Sequence, residues 1–255
     1  MIPFYCVLGI ISAPSVLAFQ PLERSLPRIP TTNLASSPLS LDNQLTTVIS
    51  LYSTKDEESH NSLARILTDK VLPEVSHQEG FVSAHLHKSL DGAKIGIYEQ
   101  WASKDAHQKF VENSELQAWL EDMLAENSSK QDPVDRHIYV IFTSESNLPS
   151  NEKVSVSMDH PLVHFAEFRM MPENQKQMVK LAEKNIHPAM KIPGLLTATF
   201  HRSLDGTRVL NYGQWENEQA IENLKKQPGF SSSAPYWEGV AENEHHLYKL
   251  VASFE

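Results

Sequence analysis

The stretch His201-Arg-Ser-Leu-Asp-Gly-Thr-Arg-Val-Leu-Asn-Tyr-Gly-Gln-Trp215 has an earlier copy 114 residues upstream, His87-Lys-Ser-Leu-Asp-Gly-Ala-Lys-Ile-Gly-Ile-Tyr-Glu-Gln-Trp101. Over Gly80–Trp101 and Gly194–Trp215 the copies align without a gap, and ten of twenty-two positions are identical. The chain is therefore a duplicated domain. Because neither short copy can bury a large core alone, we expect the two to pack on one another.

Length and composition agree with a duplication. The 255 residues, of which 40% are hydrophobic, allow two domains of about a hundred residues each. The formal net charge of -10, without clustered Lys and Arg, argues against a nucleic-acid partner. The only cysteine, Cys6, lies in a segment that we expect to be removed, so the mature chain would have no disulfide or thiol chemistry.

The N-terminus has the composition of a targeting sequence. Residues 1–18 are uncharged, and Val16 and Ala18 are the small residues that a signal peptidase prefers, so we predict a signal peptide. Pro3 and Pro14 interrupt this run, and it is too short for a membrane span, so no membrane association is expected of the mature form. Residues 19–44 start with Phe19 and read as a disordered, transit-like leader rich in hydroxyl residues. Together they resemble the bipartite presequence of diatom plastids and predict a plastid location, with plain secretion as the alternative.

The residue patterns predict the same order of elements in both copies. An Asp-Gly pair between two alternating runs is a strong signal for a β-hairpin, because glycine adopts positive φ without steric cost. In copy 1, residues 45–142, this hairpin lies between helices that are themselves flanked by strands, which gives the order βαββαβ. Copy 2, residues 161–255, repeats the order, and residues 143–160 form a polar linker. The predicted elements of copy 1 are a strand over Leu45–Tyr52, a helix over Glu57–Val71, a strand over Phe81–Lys88, an antiparallel third strand after the Asp91-Gly92 turn, a helix capped by Ser103 and a strand over Arg136–Phe142.

The βαββαβ order is that of the split ferredoxin-like unit, an α+β fold with helices on one face of an antiparallel sheet. The other face of each sheet must be covered. Each copy resembles the antibiotic biosynthesis monooxygenase domain, which forms dimeric α+β barrels. The resemblance rests on the order strand, helix, Gly, a hairpin with Asp at the turn, Tyr-x-x-Trp and a following helix. The resemblance implies two tandem domains that pack sheet to sheet within one chain.

The resemblance also implies a function. Many members are oxygenases that need no cofactor and act on aromatic polyketides, so we expect a cofactor-independent monooxygenase or oxidase of a small aromatic or quinol-like compound, with molecular oxygen as the second substrate. The alternative is a non-catalytic α+β barrel that binds a small hydrophobic ligand or serves in assembly. Assembly into a homo-oligomer is left open.

Which side chains face the inside depends on the hairpin turn. With a two-residue turn, His201, Tyr212 and Gln214 share the face that would line the barrel. With a three-residue turn, Asn211 and Trp215 would face inward instead. The sequence leaves both registers open.

Phenol oxidation needs a base, groups that hold a developing oxyanion and a flat apolar wall. These needs define the candidate site residues. His201 is the candidate base, and copy 2 the favoured active half. The alternatives are that the His-x-Ser-Leu-Asp-Gly segments only shape the hairpins and that the tryptophans are core residues. His85-x-His87 has the spacing of metal ligands, but Thr199 replaces the first His in copy 2, so no metal is expected. The candidates are His201, Tyr212, Asn211 and Gln214 as catalytic residues and Trp215, Arg202, Thr199, His87, Tyr98, Gln100 and Trp101 as substrate-binding residues.

Overall fold

The computed structural model describes residues 44–125, 134–149, 152, 154–156, 162–226 and 235–255, together with the backbone of Ser37–Pro38. The predicted signal peptide, Cys6 and nearly all of the predicted leader lie outside the described residues. No helix within the described ranges is both long and apolar enough to cross a bilayer.

Copy 1 contains the predicted elements with adjusted ends. Asp56 caps the first helix, because its side chain accepts from the backbone N–H of Ser59. This helix runs on through a π-helical turn, Leu67–Val71. The helix predicted after Ser103 is two helices that break at Asn113. The elements are β1 Thr46–Ser53, α1 Glu57–Ile66, α2 Leu72–Ser76, β2 Phe81–Ser89, β3 Lys94–Trp101, α3 Lys104–Glu112, α4 Ser114–Ala125 and β4 Asp135–Ser146.

Copy 2 repeats the order with one long helix after its first strand. A 3-10 turn, Pro172–Asn174, leads into that helix. The last strand is longer at both ends than His246–Ala252, the range that the sequence predicts. The elements are β5 Leu162–Arg169, α5 Gln175–Ala189, β6 Leu195–Ser203, β7 Arg208–Trp215, α6 Glu218–Lys225 and β8 Glu242–Phe254.

The eight strands close into one antiparallel barrel with the order β8-β2-β3-β1-β4-β6-β7-β5. Within each copy the first strand is central, as in a ferredoxin-like sheet. The last strand of each copy also pairs with the hairpin of the other, β4 with β6 and β8 with β2. This exchange explains why β4 extends to Ser146, into the predicted linker. The tandem α+β barrel predicted from the sequence is confirmed.

The structure resolves the hairpin register. His85 pairs with Tyr98 in copy 1, and Thr199 pairs with Tyr212 in copy 2. Tyr212 and Gln214 therefore face the barrel interior, and Asn211 and Trp215 face the helices. Gly92 and Gly206 take φ of +73° and +84° in the two turns, which is why glycine is needed there.

Apolar side chains form three cores. Two of them lie between a sheet and the helices of the same copy. The copy 1 core includes Trp101, and the copy 2 core includes Trp215. The third fills the barrel and contains Tyr98, Phe165 and Tyr212. The duplication thus produces two helix-facing layers around one shared interior.

The repeated Asp of each turn joins the two copies. Asp205 Oδ2 lies 2.6 Å from Nδ1 of His137 in the last strand of copy 1. Asp91 Oδ2 lies 2.6 Å from Nδ1 of His246 in the last strand of copy 2. Burial alone would lower the pKa of His246, but its contacts with Asp91 and Glu244 raise the pKa to about 9. These two His–Asp pairs, which we call the clasps, hold each hairpin turn to the other copy.

Candidate functional site

Four side chains meet at the centre of the barrel. Tyr98 Oη lies 3.1 Å from Nε2 of His201, and His87 Nε2 lies 3.1 Å from Oη of Tyr212. All four are completely buried. We call them the central quartet. Each pair joins one residue of copy 1 to one of copy 2, and the two pairs are equivalent under the duplication.

Hydrogen bonding fixes the tautomers of the quartet histidines. Nδ1 of His87 donates to the carbonyl of His85 at 3.0 Å, and Nδ1 of His201 faces the carbonyl of Leu210 at 3.4 Å. In both rings Nε2 is left to accept from a tyrosine hydroxyl. Burial lowers the pKa of His87 to about 3 and that of His201 to about 4. A histidine with so low a pKa is a weak base at neutral pH.

The remaining inward-facing candidates line the barrel on either side of the quartet. Thr199 bonds to Ser144 at 2.8 Å, and the Gln214 amide accepts from Thr197 at 2.8 Å and donates to the Ser155 carbonyl. Ser155 belongs to the linker, so part of the linker covers this end of the barrel. Gln100 is buried, and its Nε2 has no partner among the described residues.

Asn211 and Trp215 lie on the opposite face of the same sheet, below the helices of copy 2. Both contact His164, a β5 residue that the sequence did not single out. The Trp215 indole N–H donates to His164 Nδ1 at 2.8 Å, and Nδ2 of Asn211 lies 3.1 Å from His164 Nε2. All three side chains are completely buried. We call them the copy 2 triad.

The chemistry of the triad fixes the orientation of the Asn211 amide. Because the indole can only donate, Nδ1 of His164 carries no proton, and the ring proton is on Nε2. That proton needs an acceptor, so the amide must turn its oxygen toward His164, whichever way its two similar ends are drawn. The other end of the amide has no hydrogen-bond partner among the described residues. It is therefore an NH2 group, held in an apolar layer.

The surface of the sheet beside Asn211 forms a floor below the helices. In the sheet, Asn211 is next to Ala166, and Ala166 is next to His245. Nδ1 of His245 and the hydroxyl of Tyr236 are also buried without partners in the described part of the chain. Tyr236 and Trp237 cover this floor and contact Phe168. Several unsatisfied polar atoms thus lie in one layer, whereas buried polar groups are normally hydrogen-bonded.

Copy 1 has different chemistry at the equivalent positions. Ile97 replaces Asn211, and Glu99 occupies the position of Gly213. The Trp101 indole N–H donates to Oε2 of Glu99 at 3.2 Å. Burial raises the pKa of Glu99, although the nearby charge of Arg136 and the bond from Trp101 oppose that rise. Each tryptophan N–H is therefore satisfied, by a carboxylate in copy 1 and by an imidazole in copy 2.

Two clefts of about 240 Å³ each open on the helix-bearing side. The copy 1 cleft lies between β1 and β3 and helices α2, α3 and α4, and Glu99, Arg136 and Tyr52 are among its lining residues. The other cleft lies between α6 and the segment from Ile192 to Gly194. None of the residues predicted for the site lines either cleft, but Glu216, next to Trp215 in sequence, lines the second.

The predicted site residues thus divide into separate groups. The central quartet, Thr199, Gln100 and Gln214 lie inside the barrel, whereas Asn211, Trp215 and Trp101 lie below the helices. Arg202 is exposed on the surface. Because the two faces of a sheet cannot contact one small ligand, these residues do not form a single site. His201 in particular cannot act as a base for a molecule held by Asn211.

His164, Glu99 and His107 contact the two tryptophans, although the sequence predicts no role for them. Glu99 had a signal, because a charged residue stands among apolar ones on the helix-facing side of β3. His107 is buried against Trp101, with ring centroids 5.5 Å apart, and neither of its ring nitrogens has a partner among the described residues. His164 stands among apolar residues in β5, and the sequence alone gives no signal for its contacts.

A protein-family comparison agrees with this architecture. The model of the family described as antibiotic biosynthesis monooxygenase matches residues 46–122 and 161–234. The chain belongs to this family. The two matched stretches fall in the two copies, so both halves of the barrel are domains of this monooxygenase family.

Individual relatives point the same way. Tetracenomycin-F1 monooxygenase of Streptomyces glaucescens is 30% identical over 91 residues, which are 34% of this chain and 79% of the relative. The crystal structure of an anthrone oxidase-like protein superposes with a TM-score of 0.69 at 18% identity, over 85% of this chain and 95% of that one. A candidate monooxygenase from Fusobacterium nucleatum superposes with a TM-score of 0.51 at 9% identity, over 82% of this chain and 93% of the other. The two superpositions show the shared fold.

Proposed function

We propose that this chain is a cofactor-independent monooxygenase or oxidase of a small aromatic or quinol-like compound, and that the reaction takes place below the helices of copy 2. Membership of the family and a relative named for its action on tetracenomycin F1 support this class of reaction. The observation that carries the proposal is the completely buried Asn211 amide beside Trp215, one end of which has no hydrogen-bond partner among the described residues.

The Asn211 amide is suited to hold a substrate oxygen. Two N–H donors in a layer that excludes water stabilise a phenolate far better than the same donors in solvent do. They lower the pKa of the bound phenol and so favour the electron-rich form that reacts with oxygen. His164 does not touch the substrate in this scheme. It is a positioning residue that fixes the Asn211 amide and the Trp215 ring.

The reaction balances without a cofactor. A ring CH2 conjugated with the phenolate loses a proton, which leaves the site for the bulk solvent, and the resulting carbanion passes electrons to O2. Carbon and oxygen join to form a peroxide, which takes the proton back. Loss of water from this peroxide leaves a C=O, so one oxygen atom enters the product and the other leaves as water. Trp215 offers a flat apolar wall for the substrate ring.

Oxygen uptake by the purified, metal-free mature protein tests this proposal. Anthrones and quinols are the substrates to try, with the product analysed for one atom of labelled oxygen. We expect turnover in the unaltered protein and a loss of at least a hundredfold in kcat/KM for Asn211→Leu, since removing one oxyanion donor costs about 10²–10³. Ile97→Leu, the equivalent position in copy 1, is the matched control and should keep full activity.

The same experiment separates the enzyme from the alternative, a non-catalytic barrel that binds a hydrophobic ligand. The buried, weakly basic histidines of the quartet favour that alternative, since they offer no base. Saturable binding of these compounds without oxygen uptake would support it. Equal turnover in Asn211→Leu and in the unaltered protein would remove copy 2 as the active half.

A further inference from the structure

The copy 1 cleft differs from the layer around Asn211 in two respects. It is open, with a volume of about 240 Å³, and it contains a buried carboxylate. An apolar cavity of about 150 Å³ is enough to bind benzene, so this one has room for a molecule of one or two rings. Its walls are apolar and belong to both the helices and the sheet. They include Val71, Val75, Ile97, Phe110, Leu120 and Leu124.

Glu99 and Arg136 are two charged groups that lie close together in the cleft. Glu99 is 5% exposed and lies at the sheet, where Trp101 occupies its Oε2. Arg136 is an exposed residue, but its guanidinium donates to the buried side chains of Ser50 at 2.9 Å and Tyr52 at 3.2 Å. A ligand in this cleft thus meets a hydrogen-bond acceptor, Glu99, and a cationic donor, Arg136, among apolar walls.

The charges define the ligand. An anion would lie against Glu99 and a cation against Arg136, and each would lose its hydration in an apolar space. A neutral molecule with one O–H donor avoids both costs, because its ring packs on Phe110 and Ile97 while its hydroxyl donates to Glu99. Copy 1 also lacks the amide of Asn211, since Ile97 stands at that position. It has no equivalent donor to stabilise a phenolate.

We propose that the copy 1 cleft is a separate, non-oxygenating binding site for a neutral phenol of one or two rings, held by Glu99. The two copies would then divide the work: copy 1 binds the aromatic molecule and copy 2 oxidises it. The binding part of this inference does not depend on whether copy 2 is an active enzyme.

Calorimetry with 1-naphthol as probe tests the site in the Asn211→Leu protein, where the copy 2 layer is altered. We expect saturable binding at one site per chain, and binding at least tenfold weaker for naphthalene, naphthoate and naphthylmethylamine. Glu99→Gln should weaken naphthol binding about tenfold. The glutamine keeps the Trp101 bond through its amide oxygen but turns an NH2 toward the ligand, which cannot accept from a hydroxyl. Glu115→Gln, an exposed carboxylate of α4 that does not line the cleft, is the matched control and should leave the affinity unchanged.

Localisation by NMR decides the case if Glu99→Gln does not fold. In the unaltered chain we expect contacts between the naphthol ring protons and the methyl groups of Ile97, Leu120 and Leu124. Absence of saturable binding, or contacts with other methyl groups, would overturn the inference. A protein that binds naphthol in copy 1 but consumes no oxygen would keep this inference and remove the proposed function.

Discussion

The hydroxyl of Tyr98 lies 3.1 Å from Nε2 of His201, although the two residues are 103 positions apart in different copies. The duplication places the same bond between Tyr212 and His87. The most similar part of the two copies is therefore the part that joins them. The repeated His and Tyr lie in the packed centre of the barrel, whereas Asn211 and Ile97, which differ between the copies, lie below the helices.

Removing either central hydroxyl should destabilise the barrel. Tyr98→Phe and Tyr212→Phe each leave one buried imidazole nitrogen without a donor, so we expect a loss of about 1–3 kcal/mol in the free energy of unfolding. Chemical denaturation of the two variants measures this. A large effect in one variant and none in the other would mean that the two bonds are not equivalent.

Buried histidines should make the fold sensitive to acid. Burial lowers the pKa of His85 and His201 to about 4 and that of His87 and His164 to about 3, from an ordinary value of 6.5. Because each of these histidines has a lower pKa in the folded than in the unfolded chain, the free energy of unfolding is at its full value above pH 6.5. It decreases as the pH falls from 6.5 toward the folded-state pKa. Each ring then contributes a slope of as much as about 1.4 kcal/mol per pH unit. Denaturation midpoints measured below pH 6.5 should decrease steeply, and a flat profile would contradict these burial states.

The clasps should weaken in alkali. His246 has a raised pKa of about 9, so its contribution to the free energy of unfolding is complete below pH 6.5 and is lost as the pH rises through about 9. We expect Asp91→Asn to lower the pKa of His246, measured by NMR titration of its ring protons, and to cost about 1 kcal/mol of stability. Asp205→Asn is the matched control: it should shift His137 and leave His246 unchanged. A shift of His246 in both variants would show that the clasps are not independent.

Gly213 should tolerate no side chain. A Cβ built there would lie 2.0 Å from Cε1 of His164, so Gly213→Ala must displace that ring and break its bonds to Trp215 and Asn211. We expect a loss of about 3 kcal/mol in stability and, in the proposed enzyme, of activity. Gly239→Ala is the control, because a Cβ there has nothing within 4 Å and only its φ of +72° is strained. Equal stability of Gly213→Ala and the unaltered chain would contradict this packing.

The fold was predictable from sequence because its signals are local. The repeat, the Asp-Gly turns and the strand–helix alternation each depend on a few neighbouring residues, and together they predicted two βαββαβ copies. The barrel was implied by the resemblance to the antibiotic biosynthesis monooxygenase domain. The exchange of β4 and β8 between copies was not predictable, since nothing in a strand's own sequence says which edge it will meet. β4 extends beyond Phe142 because it pairs with β6 of the other copy.

The candidate site was harder to predict, because it depends on register. A change of one residue in the turn interchanges Tyr212 and Asn211, and the sequence supports either arrangement. The contacts of His164 depend on pairing between β5 and β7, which are separated by a helix and a strand along the chain. The charge of Glu99 on an otherwise apolar face was visible in the sequence and is the signal that could have directed attention below the helices.

The most direct test compares two adjacent residues, Asn211 and Tyr212, whose side chains lie on opposite faces of β7. Oxygen uptake with the best anthrone or quinol substrate is measured for Asn211→Leu and Tyr212→Phe at matched concentrations of folded protein. A site below the helices predicts a loss of at least a hundredfold in kcat/KM for Asn211→Leu and a change of less than threefold for Tyr212→Phe. The reverse result, with activity lost in Tyr212→Phe and kept in Asn211→Leu, would place the chemistry inside the barrel and contradict the account.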